Sequence, residues 1–412
     1  MVFGGEVSLA VLLLQGPLGP FFSNLASALS RQGEAVYKIN FNGGDEFFYS
    51  HENTVSYSGT VNQWPDFLLD FVFKNSIDTI LAYGDCRQYH HIAKQLCALE
   101  NIRYFAFEEG YLRPNYITFE MGGVNGHSPI THAAIESYKP VHEVSDEKRM
   151  PANFFSRAMY AVSYYILAFF KRPKYPHYQH HRSFNPVYEG LCWCRGFYRK
   201  YLYRLIQKNA GQVCKQGEFF LVPLQVHNDA QIEFHSQYDS MQDFILDVLT
   251  SFAQSGSSKK LVFKHHPMDR GHVNYAGFIK KQAGRLGINH QVSYIHDQHL
   301  PTLLKSCEGV VTINSTTALQ AFYHGAPVLV MGYAFFDMPG LTHQESLLSF
   351  WQVPISPDLE FPDRFRAYIL DHGQINGSFY TESDLTTSNL VTYLFKLGAL
   401  QSSSISSAPL SG

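Results

Sequence analysis

The chain has 412 residues, 45% of them hydrophobic and 16% charged, with a formal net charge of -3. That length suits two domains of ordinary size, the apolar fraction excludes a disordered chain, and the near-neutral balance excludes a whole-surface nucleic-acid binder. The six cysteines, at 86, 97, 192, 194, 214 and 307, make no disulfide framework. Cys192 and Cys194 lack a second pair, so reduced thiols and no metal are expected.

Ser8–Leu14 is an apolar run of strand length cut by Gln15-Gly-Pro, which reads as a first strand and not a signal peptide. Gly16–Pro20 then forms a tight turn into a helix over Phe21–Arg31. Its two prolines and missing G-x-G-x-x-G spacing argue against a dinucleotide fingerprint. Strand Ala35–Ile39, the turn Phe41–Asp45 (FNGGD), helix Phe67–Lys74, strand Thr79–Tyr83, helix His90–Ala98 and strand Arg103–Phe107 follow. Strands alternating with helices predict a parallel, doubly wound sheet.

The last of these strands runs into Glu108-Glu109-Gly110 and Arg113. Ligands of such sheets bind at the carboxyl ends of the strands, so one of the two carboxylates is expected to face a cleft. The alternative is an acidic turn paired to Arg113. Met121–Ser128, a glycine-rich loop with Asn125 and His127, is expected to touch substrate. Between Met150 and Lys208 the texture becomes aromatic, apolar and basic, with Lys171, Arg172, Lys174 and Arg182 in a proline-broken stretch. This mixture suits an anionic membrane surface or a lipid acceptor, and no stretch is long enough to span a bilayer.

A second α/β unit is expected from Phe219–Leu224 onward, with Gln225, His227, Asn228 and Asp229 just past its first strand. Asp229 also suits a helix cap. After helix Ser240–Phe252, the strand Leu261–Phe263 ends in Lys264-His265-His266-Pro267, and the run Val310–Ile313 ends in Asn314, Ser315, Thr316 and Thr317. A cation, imidazoles, hydroxyls and backbone N–H groups on one rim predict a phosphate site. Strand Ile288–Tyr294, helices His299–Lys305 and Ala318–Tyr323, strand Val328–Met331 and helices Ala367–Asp371 and Leu390–Leu397 complete the chain. The predicted organisation is α/β, with two Rossmann-like domains facing a cleft (GT-B-like). It places an acceptor domain at 1–150, a helical membrane- or lipid-contacting segment at 151–210, a donor domain at 211–400 and a disordered tail at 401–412. With no D-x-D cluster, a metal-independent nucleotide-sugar transferase is favoured.

The stretches QGPLGPFF, NFNGGD, FEEGYLRP, GGVNGHSP, PLQVHNDAQI, FKHHPMDRG, INSTTALQAFYHGAPV and GYAFFDMPGLT resemble the capsule polysaccharide synthesis proteins of Gram-negative bacteria, of the KpsS type. The resemblance runs from about Leu12 to about Pro354. It implies a retaining β-Kdo transferase that uses CMP-Kdo without a cofactor and starts the Kdo linker on lysophosphatidylglycerol. It also implies a cytoplasmic protein, peripheral on the inner membrane, working with capsule assembly and export proteins and without nucleic acid. By the same resemblance Glu108 matches a catalytic carboxylate, Asp229 a nucleophile, His266 a contact to the CMP phosphate, and Ser315 and Thr316 paired hydroxyls. The rivals are another CMP-sugar transferase (a sialic acid polymerase or a linker-extending Kdo transferase), a nucleotide-sugar epimerase, and a non-enzymatic scaffold for export.

Overall fold

A computed structural model of the chain describes residues 10–139, 147–180, 186–207 and 217–398. In chain order the elements are β1 (Ala10–Leu13), α1 (Phe21–Ser30), β2 (Ala35–Asn40), α2 (Gly43–Phe47), β3 (Thr54–Ser56), α3 (Trp64–Lys74), β4 (Thr79–Tyr83), α4 (Gln88–Glu100), β5 (Arg103–Glu109), β6 (Tyr116–Met121), α5 (His132–Ser137), α6 (Phe154–Phe170) and α7 (Pro186–Ile206). They continue with β7 (Phe219–Pro223), α8 (Ala230–Phe234), α9 (Met241–Ser255), β8 (Lys260–Lys264), α10 (Ala276–Arg285), β9 (Val292–Ile295), α11 (Leu300–Ser306), β10 (Gly309–Thr312), α12 (Thr317–Tyr323), β11 (Val328–Val330), α13 (Leu347–Gln352), α14 (Phe361–Asp371), β12 (Gln374–Asn376) and α15 (Ser383–Lys396).

The chain divides into two compact α/β units. The first comprises described residues 10–129, 147–180 and 369–398. Its sheet runs β12-β6-β5-β4-β1-β2-β3, parallel from β5 to β3, with β6 and β12 antiparallel at one edge. The second comprises 130–139, 186–207 and 217–368. Its sheet runs β11-β10-β7-β8-β9 and is wholly parallel. Both units therefore wind outward from a central first strand to one side, then return to the other, which is the Rossmann order. Their strands read as continuous apolar runs because helices bury both faces; AVLL of β1 and FFLVP of β7 are buried at every position.

Local chemistry sets the element ends. Ser240 caps α9 through its hydroxyl, which accepts from the Asp243 N–H, and left-handed Gly256 ends the same helix. Phe244, Ile245, Val248, Leu249 and Phe252 form its buried stripe.

Several boundaries differ from the sequence expectation. FNGGD is not a plain turn: Asn42 caps the short helix α2, its side-chain oxygen accepting from the Gly44 and Asp45 N–H groups. The glycines are needed for α6. A Cβ on Gly43 would overlap the Leu167 carbonyl, and one on Gly44 would lie 2.5 Å from the Tyr164 ring. The segment expected as one piece at 151–210 is divided, with α6 in the first unit and α7 in the second. The stretch expected to close the donor domain at 400 instead returns to the first unit from residue 369. There β12 extends the sheet on β6, and Leu390, Val391 and Leu394 of α15 share a core with Phe21 and Leu25 of α1. Strands β3, β6 and β12 were not expected; they are short or carry polar residues. The tail at 401–412, the proposed contact Arg182 and Cys214 lie outside the described residues.

Tyr164 anchors α6. Its hydroxyl accepts from Gln15 Nε2 (2.7 Å) and Asn42 Nδ2 (2.6 Å) and donates to Asp45 Oδ1 (2.9 Å), all buried. Tyr164→Phe strands those buried groups and should cost about 1–3 kcal/mol, seen as a lower Tm in calorimetry. An unchanged Tm would show that the network does not hold α6.

Candidate active site

In the second unit the expected donor residues gather where the parallel strands end. The loops after β7 and β10, the two adjacent strands from which the chain winds in opposite directions, are tied by a reciprocal pair. Gln225 Nε2 donates to Asn314 Oδ1 (2.9 Å), and the Asn314 N–H donates to Gln225 Oε1 (3.2 Å). Asn314 Nδ2 reaches the Gln231 and His235 carbonyls as well. Both side chains are buried, so their first task is to hold the loops. Ser315 accepts from the Thr317 N–H and donates to the Thr317 hydroxyl, which opens α12. Thr316, beside it, is half-buried.

Asp229 caps α8. Oδ1 accepts from the Gln231 N–H (3.0 Å), and Oδ2 accepts from Gln225 Nε2 (3.2 Å). The carboxylate is half-buried and held by both oxygens, so the cap expected as its alternative role is present. Asn228 and His227 are exposed just before it.

The strand end at β8 distributes its polar residues in two directions. Lys264 is buried, and desolvation lowers its pKa against the pull of Asp297. His265 is buried too; burial lowers it to about 4, and its Nδ1 pairs with the Tyr294 hydroxyl at 2.5 Å. It is thus a neutral core group. His266 is half-exposed and opens a 3-10 turn, Pro267–Gly271, with Nδ1 accepting from the Met268 N–H. Pro267 takes the first position of that turn, where its missing N–H costs nothing.

Inside this turn lies Asp269, which no local sequence pattern singles out. It is 1% exposed and binds His227 twice, through the backbone N–H (2.7 Å) and ring Nδ1 (2.6 Å). Next to it Arg270 forms a two-bond pair with Asp297. Helix α7 lies against the same turn, because a Cβ on Gly271 would overlap the Cys192 carbonyl. Arg199 donates to the Arg270 carbonyl (2.9 Å), and Glu189 pairs with His272 (3.0 Å). Cys192 is buried by this packing and Cys194 exposed, so the two thiols do not converge.

In the first unit Glu108 and Glu109 belong to β5 itself, opposite Thr118 and Ile117 of β6. Adjacent strand residues face opposite ways, and the two carboxylates have different fates. Glu109 accepts from the Tyr380 hydroxyl (3.0 Å) and pairs with Arg157 (3.3 Å), whose guanidinium sits over the Tyr380 ring. Its cation is therefore Arg157, while Arg113 turns to the Gly110 carbonyl. The Glu108 carboxylate, half-buried, takes a hydrogen bond from the Glu109 N–H (2.9 Å). Burial raises its pKa, with the Glu109 charge adding and Arg113 and Arg87 opposing. A carboxylate with a raised pKa and, among the described residues, no ion-pair partner is suited to take up a proton. Gly110 permits the chain reversal, since a Cβ there would overlap the Tyr116 carbonyl.

His127 and Asn125 sit on the following loop. His127 Nδ1 and Lys94 both bind Asp85 (2.7 and 2.9 Å). Burial raises Asp85, but these two partners outweigh it and bring it down to about 2. The Asn125 N–H donates to the Tyr111 hydroxyl, which donates to Glu120 (3.1 Å). The basic residues after α6 are partly spoken for: Lys171 (3.0 Å), Lys174 (3.1 Å) and the Tyr175 hydroxyl (3.0 Å) all close on Glu46. Arg172 is exposed.

Residues 78–380 match the family described as Capsule polysaccharide biosynthesis protein. The chain belongs to this family. It is 40% identical over 375 residues to the Capsule polysaccharide export protein KpsS of Escherichia coli, across 90% of this chain and 96% of that one. It is 39% identical over 388 residues to the Capsule polysaccharide modification protein LipB of Neisseria meningitidis, across 90% and 92%. Among solved structures it is similar to Thermosulfurimonas dismutans KpsC, a beta Kdo 2,7 transferase, with 14% identity, a TM-score of 0.43, and coverage of 95% and 99%.

Sequence patterns alone did not point to Asp85, Glu120, Asp269 or His272, because each is a single polar residue inside an otherwise apolar or irregular stretch. Glu120 carries a measurable signature. Burial raises its pKa to about 8 from the ordinary 4.5, and its Oε1 has no partner among the described residues. The folded protein thus binds a proton that the unfolded chain has lost, so stability falls as pH rises from about 4.5 to about 8. Glu120→Gln should flatten that slope and raise Tm at pH 8. Parallel pH dependence in wild type and variant would show Glu120 ionised in the fold.

Proposed function

We propose that this protein is a retaining β-Kdo transferase that takes Kdo from CMP-Kdo and places it on a lysophosphatidylglycerol acceptor, starting the linker of a capsular polysaccharide. The observation that carries the reading is the polar cluster at the strand ends of the second unit, where Asp229, Ser315 and Thr316 stand on loops fixed by Gln225 and Asn314 and His266 opens the turn after β8. That placement is where α/β sheets bind nucleotides. Relatives named for the export and modification of capsule polysaccharide support the pathway.

In this reading Asp229 attacks the ketosidic carbon and CMP departs. The acceptor hydroxyl gives its proton to Glu108 and displaces Asp229, so two inversions preserve configuration. His266, Ser315 and Thr316 hold the phosphate, with Lys264 contributing positive potential from behind. Asn228, Asn125 and His127 contact the sugars, and Glu109 acts only through the strand it shares with Glu108.

A lipid acceptor requires a protein that sits on a membrane surface. Phe155, Met159, Val162, Ile166 and Phe169 are exposed at helical spacing on α6, and Leu191, Trp193, Phe197, Tyr201 and Leu205 are exposed on α7. Large exposed apolar faces flanked by Arg172, Lys200 and Arg204 suit an anionic leaflet. Among the described residues no helix is long and apolar enough to cross a bilayer. Since Lys171 and Lys174 already pair with Glu46, the apolar face should dominate binding. Replacing Phe155, Val162, Ile166 and Phe169 with Ser should release the protein from phosphatidylglycerol vesicles in co-sedimentation. Retention of the variant on the pellet would remove α6 from the interface.

The activity test uses purified protein, CMP-Kdo generated in situ and fluorescent lysophosphatidylglycerol, read by mass spectrometry. One added Kdo is expected. Asp229→Asn keeps the helix cap but loses the nucleophile, and Glu108→Gln loses the base; each should lower kcat by at least about 100-fold. If wild type adds nothing to this lipid but uses another CMP-sugar or a Kdo-primed acceptor, a linker-extending or sialic acid enzyme replaces this reading.

A further inference from the structure

Two imidazole–carboxylate pairs lie beside the loop that carries Asp229, and the proposed reaction uses neither. His227 stands two residues before Asp229, and Asp269 stands three residues after His266. Asp269 grips His227 by both its backbone N–H and its ring Nδ1, at 2.7 and 2.6 Å, from a position that water does not reach. One buried carboxylate therefore joins the loop that carries the nucleophile to the turn that carries the phosphate contact. It also fixes the ring: with Nδ1–H donating to Asp269, Nε2 is the nitrogen that can exchange a proton with something else. The side chain is 31% exposed, so it is accessible to a ligand.

The second pair supports the first. The His272 ring stacks on His227, with centroids 5.4 Å apart and planes 28° apart. His272 Nε2 is bound to Glu189 of α7 at 3.0 Å, and its Nδ1 is buried with no partner among the described residues. His227 is thus confined between a carboxylate below and an aromatic plate beside it. A surface histidine recruited only for solubility would need neither constraint.

We propose that His227 is a catalytic residue, the general acid for departure of the nucleoside monophosphate, and that Asp269 is its positioning residue. The inference rests on the CMP-sugar transferase reading above. As Asp229 bonds to the anomeric carbon, the bond from that carbon to the phosphate oxygen breaks and its electron pair stays on the oxygen. The oxygen takes the Nε2 proton, leaving a neutral imidazole whose Nδ1–H remains on Asp269. Solvent then restores the proton. Asp269 stabilises the imidazolium before transfer and holds the tautomer afterwards, the division of labour of a buried carboxylate behind a catalytic histidine. His266 keeps its role as a phosphate contact.

The test has two arms. In the first, protein labelled with 15N-histidine is followed by NMR, with His227 assigned by its loss in His227→Gln, and CMP is added. A proton held on Nδ1 by Asp269 whether or not Nε2 is protonated, and a CMP-induced shift at Nε2, are expected, and Asp269→Asn should abolish that hold on Nδ1. In the second, kinetics use CMP-Kdo and the lipid acceptor. His227→Gln should lower kcat about 100-fold, within the usual range for a general acid, with donor KM changed less than about threefold, and Asp269→Asn should reproduce the loss in kcat. Unchanged melting curves for His227→Gln separate the effect from misfolding. The proposal is overturned if Nε2 does not respond to CMP, or if His227→Gln keeps its kcat or loses only KM. If wild type is inactive with CMP-Kdo yet Nε2 responds to CMP, the substrate reading fails while the His227 contact stands.

Discussion

The reciprocal hydrogen bonds between Gln225 and Asn314 fix the geometry of the polar loops at the strand ends of the second unit. Adjacent parallel strands end level, and where winding direction reverses, the loops above them part and leave backbone groups without sheet partners. Buried amides supply those partners here. Asn314 spends its NH2 on two carbonyls of the α8 region, and Gln225 uses its own NH2 on both Asn314 and Asp229. Asp229 is consequently placed by the same pair that closes the gap between β7 and β10. An alanine at either amide would leave several buried polar groups unmatched, and the Asp229 carboxylate would lose its orientation together with the fold of the loop.

Close backbone approach is the second recurring device. Gly43 and Gly44 admit α6, and Gly271 admits α7. In each case a helix whose outer face is apolar is seated by its inner face on a loop or turn that carries polar groups: Asp45 and Glu46 in one unit, Asp269 and Arg270 in the other. Any side chain at the glycine would displace the helix, and hydrogen bonds such as those of Tyr164 and Arg199 then hold it. In the second unit the turn that seats the helix is also the one that holds His227 and follows His266.

Much of this was legible in the sequence. Apolar runs of strand length located β1, β2, β4, β5, β7, β8 and β10, since both faces of a parallel sheet are buried and periodicity gives way to continuous hydrophobicity. The polar residues following those runs located the rim. What escaped were features set by partners remote in sequence. Which of Glu108 and Glu109 is ion-paired depends on Tyr380 and Arg157, far along the chain, and no local pattern announces that. The basic stretch after α6 read as free charge because Glu46, its partner, is more than a hundred residues earlier. Asp269 was hidden for the same reason, its value being defined by His227 on another loop. The antiparallel edge β6–β12 was hidden by its polar, short strands.

The return of the chain to the first unit has a consequence for synthesis. When the ribosome has made the first six strands, the edge of β6 still lacks β12, the apolar face of α1 lacks α15, and the carboxylate of Glu109 lacks Tyr380. All three arrive only after the second unit has been translated. The emerging amino-terminal half must wait, with an open sheet edge and an uncovered core, while the later half folds; the unit begun first is the one completed last.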